Sequence, residues 1–231
     1  MRLPRYLVGA SVAALMMGAA TVGHAEEAEG PLSVTGLVSL TSDYTFRGVS
    51  QTDENPAIQG GLTLGHESGL FVGTWASSVD FDDADGASTE IDLIVGFSNE
   101  VGAMTYTVQA LYYVYPDASE FEYEEFNVGL SFDTGTQFTP TVNVWYAPDL
   151  PGNLSSFYLT AGGSFAVTDT VSVFGNVGRT WLEGPGDFYD WNAGIAVTAL
   201  GLTWDVRYVD TDINGNDLAD ERIVASVTKS F

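Results

Sequence analysis

The chain has no cysteine and very little positive charge. Without thiols it has no disulfide staple, no thiolate nucleophile and no zinc–thiolate centre. Seven basic residues stand against 31 acids, a formal net charge of −24, which excludes a nucleic-acid-binding surface. Past residue 25 no apolar run is long enough to cross a bilayer as a helix. Histidine is nearly missing too: apart from His24 there is only His66, so a Ser–His hydrolase has almost nothing to draw on. Gly-rich phosphate loops and other cofactor motifs are absent, and no cofactor or resident metal is expected.

What is present begins with a processing segment. Arg2 and Arg5 supply a positive start, residues 7–22 form an apolar run rich in Ala and Gly, and Gly23-His24-Ala25 puts small residues at the two cleavage-determining positions. Residues 1–25 are therefore read as a cleaved signal peptide and 26–231 as one domain. The remainder keeps five basic residues against 31 acids, about −26, a surface that attracts cations and stays soluble wherever it meets water. Its 26 glycines and 13% aromatic content favour β-structure with many turns.

An internal repeat organises this domain. Segments centred on Gly61, Gly96, Gly129, Gly162, Gly194 and Ser226 align, with steps of 35, 33, 33, 32 and 32 residues. Each step suits two strands of bilayer-spanning length with a turn and a loop. Six copies predict twelve strands, near 32–47, 56–66, 70–81, 89–99, 103–116, 120–133, 137–148, 155–167, 170–182, 187–199, 202–211 and 221–231. Connections after even strands are tight turns. Those after odd strands are longer, acidic or Pro-containing loops, and both termini fall on the short-turn side.

Alternation supports the same architecture. The fourth strand sets Ile91, Leu93, Val95 and Phe97 against Glu90, Asp92, Gly96 and Ser98; the eleventh sets Leu202, Trp204, Val206 and Tyr208 against Thr203, Asp205 and Arg207. The chain ends on an aromatic, Phe231, with Ile223, Ala225 and Val227 on its face and Lys229 as the one polar intrusion near an interface. The third and ninth strands alternate poorly. The expected fold is all-β, an antiparallel up-and-down transmembrane β-barrel of twelve strands in the cell outer membrane of a Gram-negative bacterium, its termini periplasmic. The last strand would present the chain to the barrel-assembly machinery, and the outer wall would meet outer-membrane lipid.

The stretch Ser39-Leu40-Thr41-Ser42-Asp43-Tyr44-Thr45-Phe46-Arg47-Gly48-Val49-Ser50-Gln51-Thr52, followed by Asn55-Pro56-Ala57-Ile58-Gln59-Gly60-Gly61, resembles the signature of the TorF family of porins, and the tail from Asp217 to Phe231 is similar to that family's ending. The resemblance spans essentially all of 26–231. It implies an outer-membrane barrel and, by family name, a porin, and it supplies no substrate.

Facing predicts what lies inside. Arg47 at the top of the first strand, Arg222 at the top of the twelfth and Arg207 in the eleventh become neighbours on closure. Glu90, Asp92 and Glu125 sit on the far wall. These six, with Asp43 and Asp205, are the candidate pore-lining residues. Two arrangements fit them: a basic patch facing an acidic one, giving a transverse field, or local pairing of Arg47 with Asp43 and Arg207 with Asp205. The repeated Gly61, Gly96, Gly129, Gly162, Gly194 and Ser226 point inward as a ring of small residues, which either keeps the lumen open or relieves crowding under packed aromatics. The loop Asp210 to Glu221 formally matches a calcium-loop pattern, but strands rather than helices flank it. The expected function is passive diffusion of small hydrophilic solutes with cation preference, and no enzymatic activity. The rival is a plugged structural or surface-interaction barrel without transport.

Overall fold

The computed structural model describes residues 30–81, 86–184 and 186–231. The signal-peptide expectation lies outside the described residues, as does part of the 82–88 loop. No helix among the described residues is long and apolar enough to cross a membrane. The chain instead forms β1 (Leu32–Thr41), β2 (Thr45–Phe46), β3 (Val49–Ser50), β4 (Ala57–His66), β5 (Leu70–Ser78), β6 (Thr89–Val101), β7 (Met104–Val114), β8 (Tyr123–Phe132), β9 (Phe138–Leu150), β10 (Leu154–Ala166), β11 (Val171–Leu182), β12 (Phe188–Ala199), β13 (Leu202–Thr211) and β14 (Arg222–Ser230).

Twelve of these, all but β2 and β3, close into one antiparallel barrel in sequence order, with β1 paired to both β4 and β14. Closure satisfies every strand edge inside the sheet, the condition for β-structure in lipid. The seam holds because the last residue folds back on the first strand: Phe231 and Gly36 exchange both backbone hydrogen bonds, at 2.8 and 3.0 Å. A side chain at Gly36 would meet the Phe231 ring at 2.7 Å, so Gly there makes room for the terminal aromatic.

The outer wall is greasy and exposed: Val34, Leu62, Val72, Leu93, Val95, Val128, Val177, Ile195, Trp204 and Val206 all face away from the lumen. Lys229 reaches to the short-turn rim, where its Nζ donates to the Gly201 carbonyl at 3.1 Å. A lysine at that height keeps its charge in the interface, which is why the apolar face tolerates it.

One predicted boundary is corrected. The first strand does not run to 47; it leaves the wall after Thr41. Residues 42–56 instead turn into the barrel and carry the two-stranded β2–β3 hairpin, with Thr45 opposite Ser50 and Phe46 opposite Val49. The turn residues are Arg47 (φ 47°) and Gly48 (φ 84°). Two successive positive-φ residues make the tight turn whose twist matches a hairpin, and Arg is an uncommon occupant of its first position.

Candidate functional site: a hairpin closing the lumen

The hairpin reaches across the barrel and touches nearly every wall. Tyr44 packs edge-on against Trp75 of β5, with ring centroids 5.3 Å apart, and its hydroxyl donates to Glu90 of β6 at 3.0 Å. Tyr115, just past β7, donates to the other Glu90 oxygen at 2.5 Å.

At the hairpin tip the Arg47 guanidinium forms an ion pair with Glu125 of β8 and lies 4.3 Å from the centroid of the Tyr158 ring of β10 and 4.6 Å from that of Phe46. Glu125 also accepts from Tyr113 of β7 at 3.1 Å. Gly48 tucks between β12 and β13, where an added side chain would strike Thr211 and come within 3.2 Å of Asp190. Its positive φ and this close approach both require glycine. The left-handed Arg47 is a strained conformation, and the ion pair and two ring faces hold it there.

The hairpin base is tied on the other side. Asp43 accepts from Ser50 at 2.7 Å and Thr52 at 2.9 Å, and its second oxygen takes Arg222 Nη1 of β14 at 3.0 Å. Arg222 further donates to the carbonyls of Asp217 and Asp220, joining the hairpin to the last long loop.

Each candidate residue thus has a definite place. All eight are inside the barrel or at its long-loop mouth, but the pairing differs from expectation. Arg47 pairs with Glu125 and not with Asp43, because the hairpin carries it off the first strand and across to the far wall; Asp43 takes Arg222 instead. One ion pair, Arg47 with Glu125, therefore joins the basic patch to the acidic wall, while Glu90 takes tyrosine hydroxyls. Local pairing does hold for Arg207, which bonds Asp205 at 2.7 Å on its own strand. Glu90, Asp92 and Glu125 are 0% exposed beneath the hairpin, and neither carboxylate oxygen of Asp92 has a hydrogen-bond partner among the described residues.

Sequence reasoning missed Tyr44, Tyr113, Tyr115, Tyr158 and Asp190, which complete this layer; Tyr158 donates to Asp190 at 3.1 Å. A signal was available. Arg47-Gly48 is a turn dipeptide between two short apolar-polar runs, the pattern of a hairpin too short to span anything.

Below the hairpin the lumen changes character. Inward positions near the short-turn rim carry Thr63, Ser98, Ser131, Thr141, Ser164, Ser172, Thr203 and Thr228, none of them buried. The small-residue ring lies at the top of this region. An added side chain at Gly96 would strike the Phe71 ring, and one at Gly194 would meet the Phe174 ring at 2.6 Å. Those two glycines make room for aromatics, the crowding-relief reading of the ring.

The calcium-like loop does not gather its acids. Asp210 accepts from the Tyr208 hydroxyl of its own strand at 2.7 Å and Asp212 from the Tyr189 backbone N–H of β12 at 2.7 Å, so both carboxylates are engaged on the wall. Among the described residues no group of three or more His, Asp or Glu side chains is placed to hold a metal ion. His66 sits at the short-turn rim, where its Nδ1 lies 2.8 Å from the Ser68 hydroxyl.

The barrel shares its fold with solved outer-membrane proteins. It is similar to the NanC porin (TM-score 0.55, 10% identity, 86% of this chain and 98% of that one) and to the KdgM porin (0.56, 5%, 86% and 98%). It is also similar to an outer-membrane channel from Pseudomonas putida F1 (0.54, 10%, 91% and 99%). No curated protein matches the chain by sequence. A family model described as a bacterial protein of unknown function, Gcw_chp, matches residues 25–231, and the chain therefore belongs to the Gcw_chp family.

Proposed function

We propose that this protein is a porin-like outer-membrane channel for small hydrophilic solutes, with the infolded β2–β3 hairpin as its constriction. One observation carries the reading: the lumen is closed by a separable segment of chain held by ion pairs and hydroxyls, above a half lined with small polar residues that the wall leaves open. A barrel filled for structure alone would be packed by the side chains of its own strands, as in the narrowest barrels. The resemblance to TorF porins and the fold shared with NanC, KdgM and the Pseudomonas channel agree with this reading.

Cation preference follows from the charges inside. Asp43, Glu90, Asp92, Glu125, Asp190 and Asp205 outnumber Arg47, Arg207 and Arg222, so a path wide enough to hydrate these groups carries excess negative charge. We place the termini and short turns in the periplasm and the acidic loops outside, with β14 and Phe231 presented to the assembly machinery. The plugged-barrel reading is favoured by one finding, the complete burial of Gln51, Glu90, Asp92 and Glu125.

Planar-bilayer recording of the purified protein in a salt gradient tests the choice. Cation-selective steps support the channel, and silence at high protein load supports the plug. Neutralising Glu90, Asp92 and Glu125 together should move the reversal potential toward zero selectivity, and an unchanged potential removes them from the path.

A further inference from the structure

The lumen uses three of the five basic residues that follow residue 25, and Lys229 belongs to the short-turn rim. Arg179 is different. It lies on β11 near the long-loop rim, between Leu159 of β10 and Tyr189 of β12 in the register, both on the lipid-facing side. Among the described residues it is the one basic side chain on the outer wall at that rim.

Its surroundings are specific. The guanidinium lies 4.7 Å from the centroid of the Trp181 ring and 4.9 Å from that of Tyr189, and Nη1 donates to the Tyr189 hydroxyl at 2.9 Å. Phe157 packs beside Trp181 at 5.5 Å and extends the aromatic surface. Among the described residues the one acid paired with the guanidinium, Asp187, is 3.6 Å away and itself exposed, and Nε is shielded from solvent with no hydrogen-bond partner. The side chain as a whole remains 37% exposed. Two aromatic contacts fix the planar fork on a wall that faces lipid, at the height where aromatic girdles meet headgroups. A guanidinium so held presents donors suited to a phosphate oxygen.

We propose that Arg179, with Trp181 and Tyr189, binds the phosphate of an anionic lipid headgroup at the long-loop face of the membrane. In a chain carrying 31 acids such a contact gives the outer wall one attractive point for a lipid that its loops otherwise repel. The site is independent of conduction through the lumen.

The test uses the full mature chain in detergent micelles, titrated with phosphatidylglycerol, phosphatidylcholine or inorganic phosphate. Native mass spectrometry reads bound lipid, and unheated gel mobility reports the folded barrel. Phosphatidylglycerol should be retained in preference to phosphatidylcholine. Arg179→Gln should weaken that retention roughly tenfold while the barrel stays folded, the worth of one charge-assisted contact. Arg179→Lys should fall between, since it keeps the charge but loses the fork, and Asp187→Asn should strengthen binding by removing a competitor. Equal retention of the two lipids, unaltered retention in Arg179→Gln, or displacement of the lipid by millimolar inorganic phosphate would overturn the proposal.

Discussion

At the long-loop end of the barrel the inward positions carry Trp75, Glu90, Asp92, Tyr113, Glu125, Trp145, Tyr158 and Asp190; at the short-turn end the same strands carry Phe71, Ser98, Thr107, Ser131, Thr141, Ser164 and Ala196. The first set is large, charged and covered. The second is mostly small, neutral and reachable. Strand geometry is continuous through both, so the difference arises from side chains and from one inserted segment. A barrel wall this wide does not fill itself; charged and aromatic residues inside it become buried only because residues 42–56 come in to meet them. Conversely, the charge on the wall is what gives the hairpin something to hold, since Arg47 and Asp43 each find an opposite partner on a different strand.

That contrast can be broken most severely by removing its cause. Replacing residues 43–52 with a short Gly-Ser connection is expected to convert small or absent current steps into steady conductance of an open twelve-stranded lumen, measured in planar bilayers. Next in size is the tip. Arg47→Met leaves Glu125 buried and unpaired, a loss of about 3–5 kcal/mol that should undock the hairpin and raise conductance, whereas Arg47→Met with Glu125→Leu should close the lumen again. Persistent opening of the double variant would mean that the ion pair does more than neutralise a buried charge.

Effects in the open half should be smaller. Gly194→Ala forces a side chain against the Phe174 ring and is expected to destabilise the folded barrel by about 1–3 kcal/mol in denaturant titration, without changing which half is covered. Arg207→Gln should change stability by no more than about 1 kcal/mol, because the pair with Asp205 is partly solvated, while making the channel slightly more cation-selective. A large stability loss there would show that the lower half is as tightly organised as the upper.

The wall was legible in the sequence because two independent periodicities agreed: alternation along each strand and the recurring small residue every 32 to 35 positions. Both survive in the structure, down to the inward Gly96 and the outward Val95 beside it. The third and ninth expected strands, β5 and β11, read poorly for a physical reason. Phe71, Trp75 and Phe174 face inward while Thr74 and Arg179 face out, so polarity does not track facing there. The hairpin was hard to read because Tyr44 and Phe46 continue the alternation of β1 past Thr41, and the Arg47-Gly48 turn dipeptide marks a reversal without saying that the chain turns inside. The contacts that decide it come from Glu125 and Arg222, 78 and 179 positions away from their partners Arg47 and Asp43.

The absence of native cysteine allows the division of the lumen to be measured directly by single-cysteine labelling with a small water-soluble thiol reagent. Ser164→Cys and Ser172→Cys, near the short turns, should react quickly in the folded barrel. Ser77→Cys and Ser156→Cys, beneath the hairpin, should stay protected until residues 43–52 are replaced. Equal labelling of all four in the intact protein would contradict closure of the lumen by the hairpin.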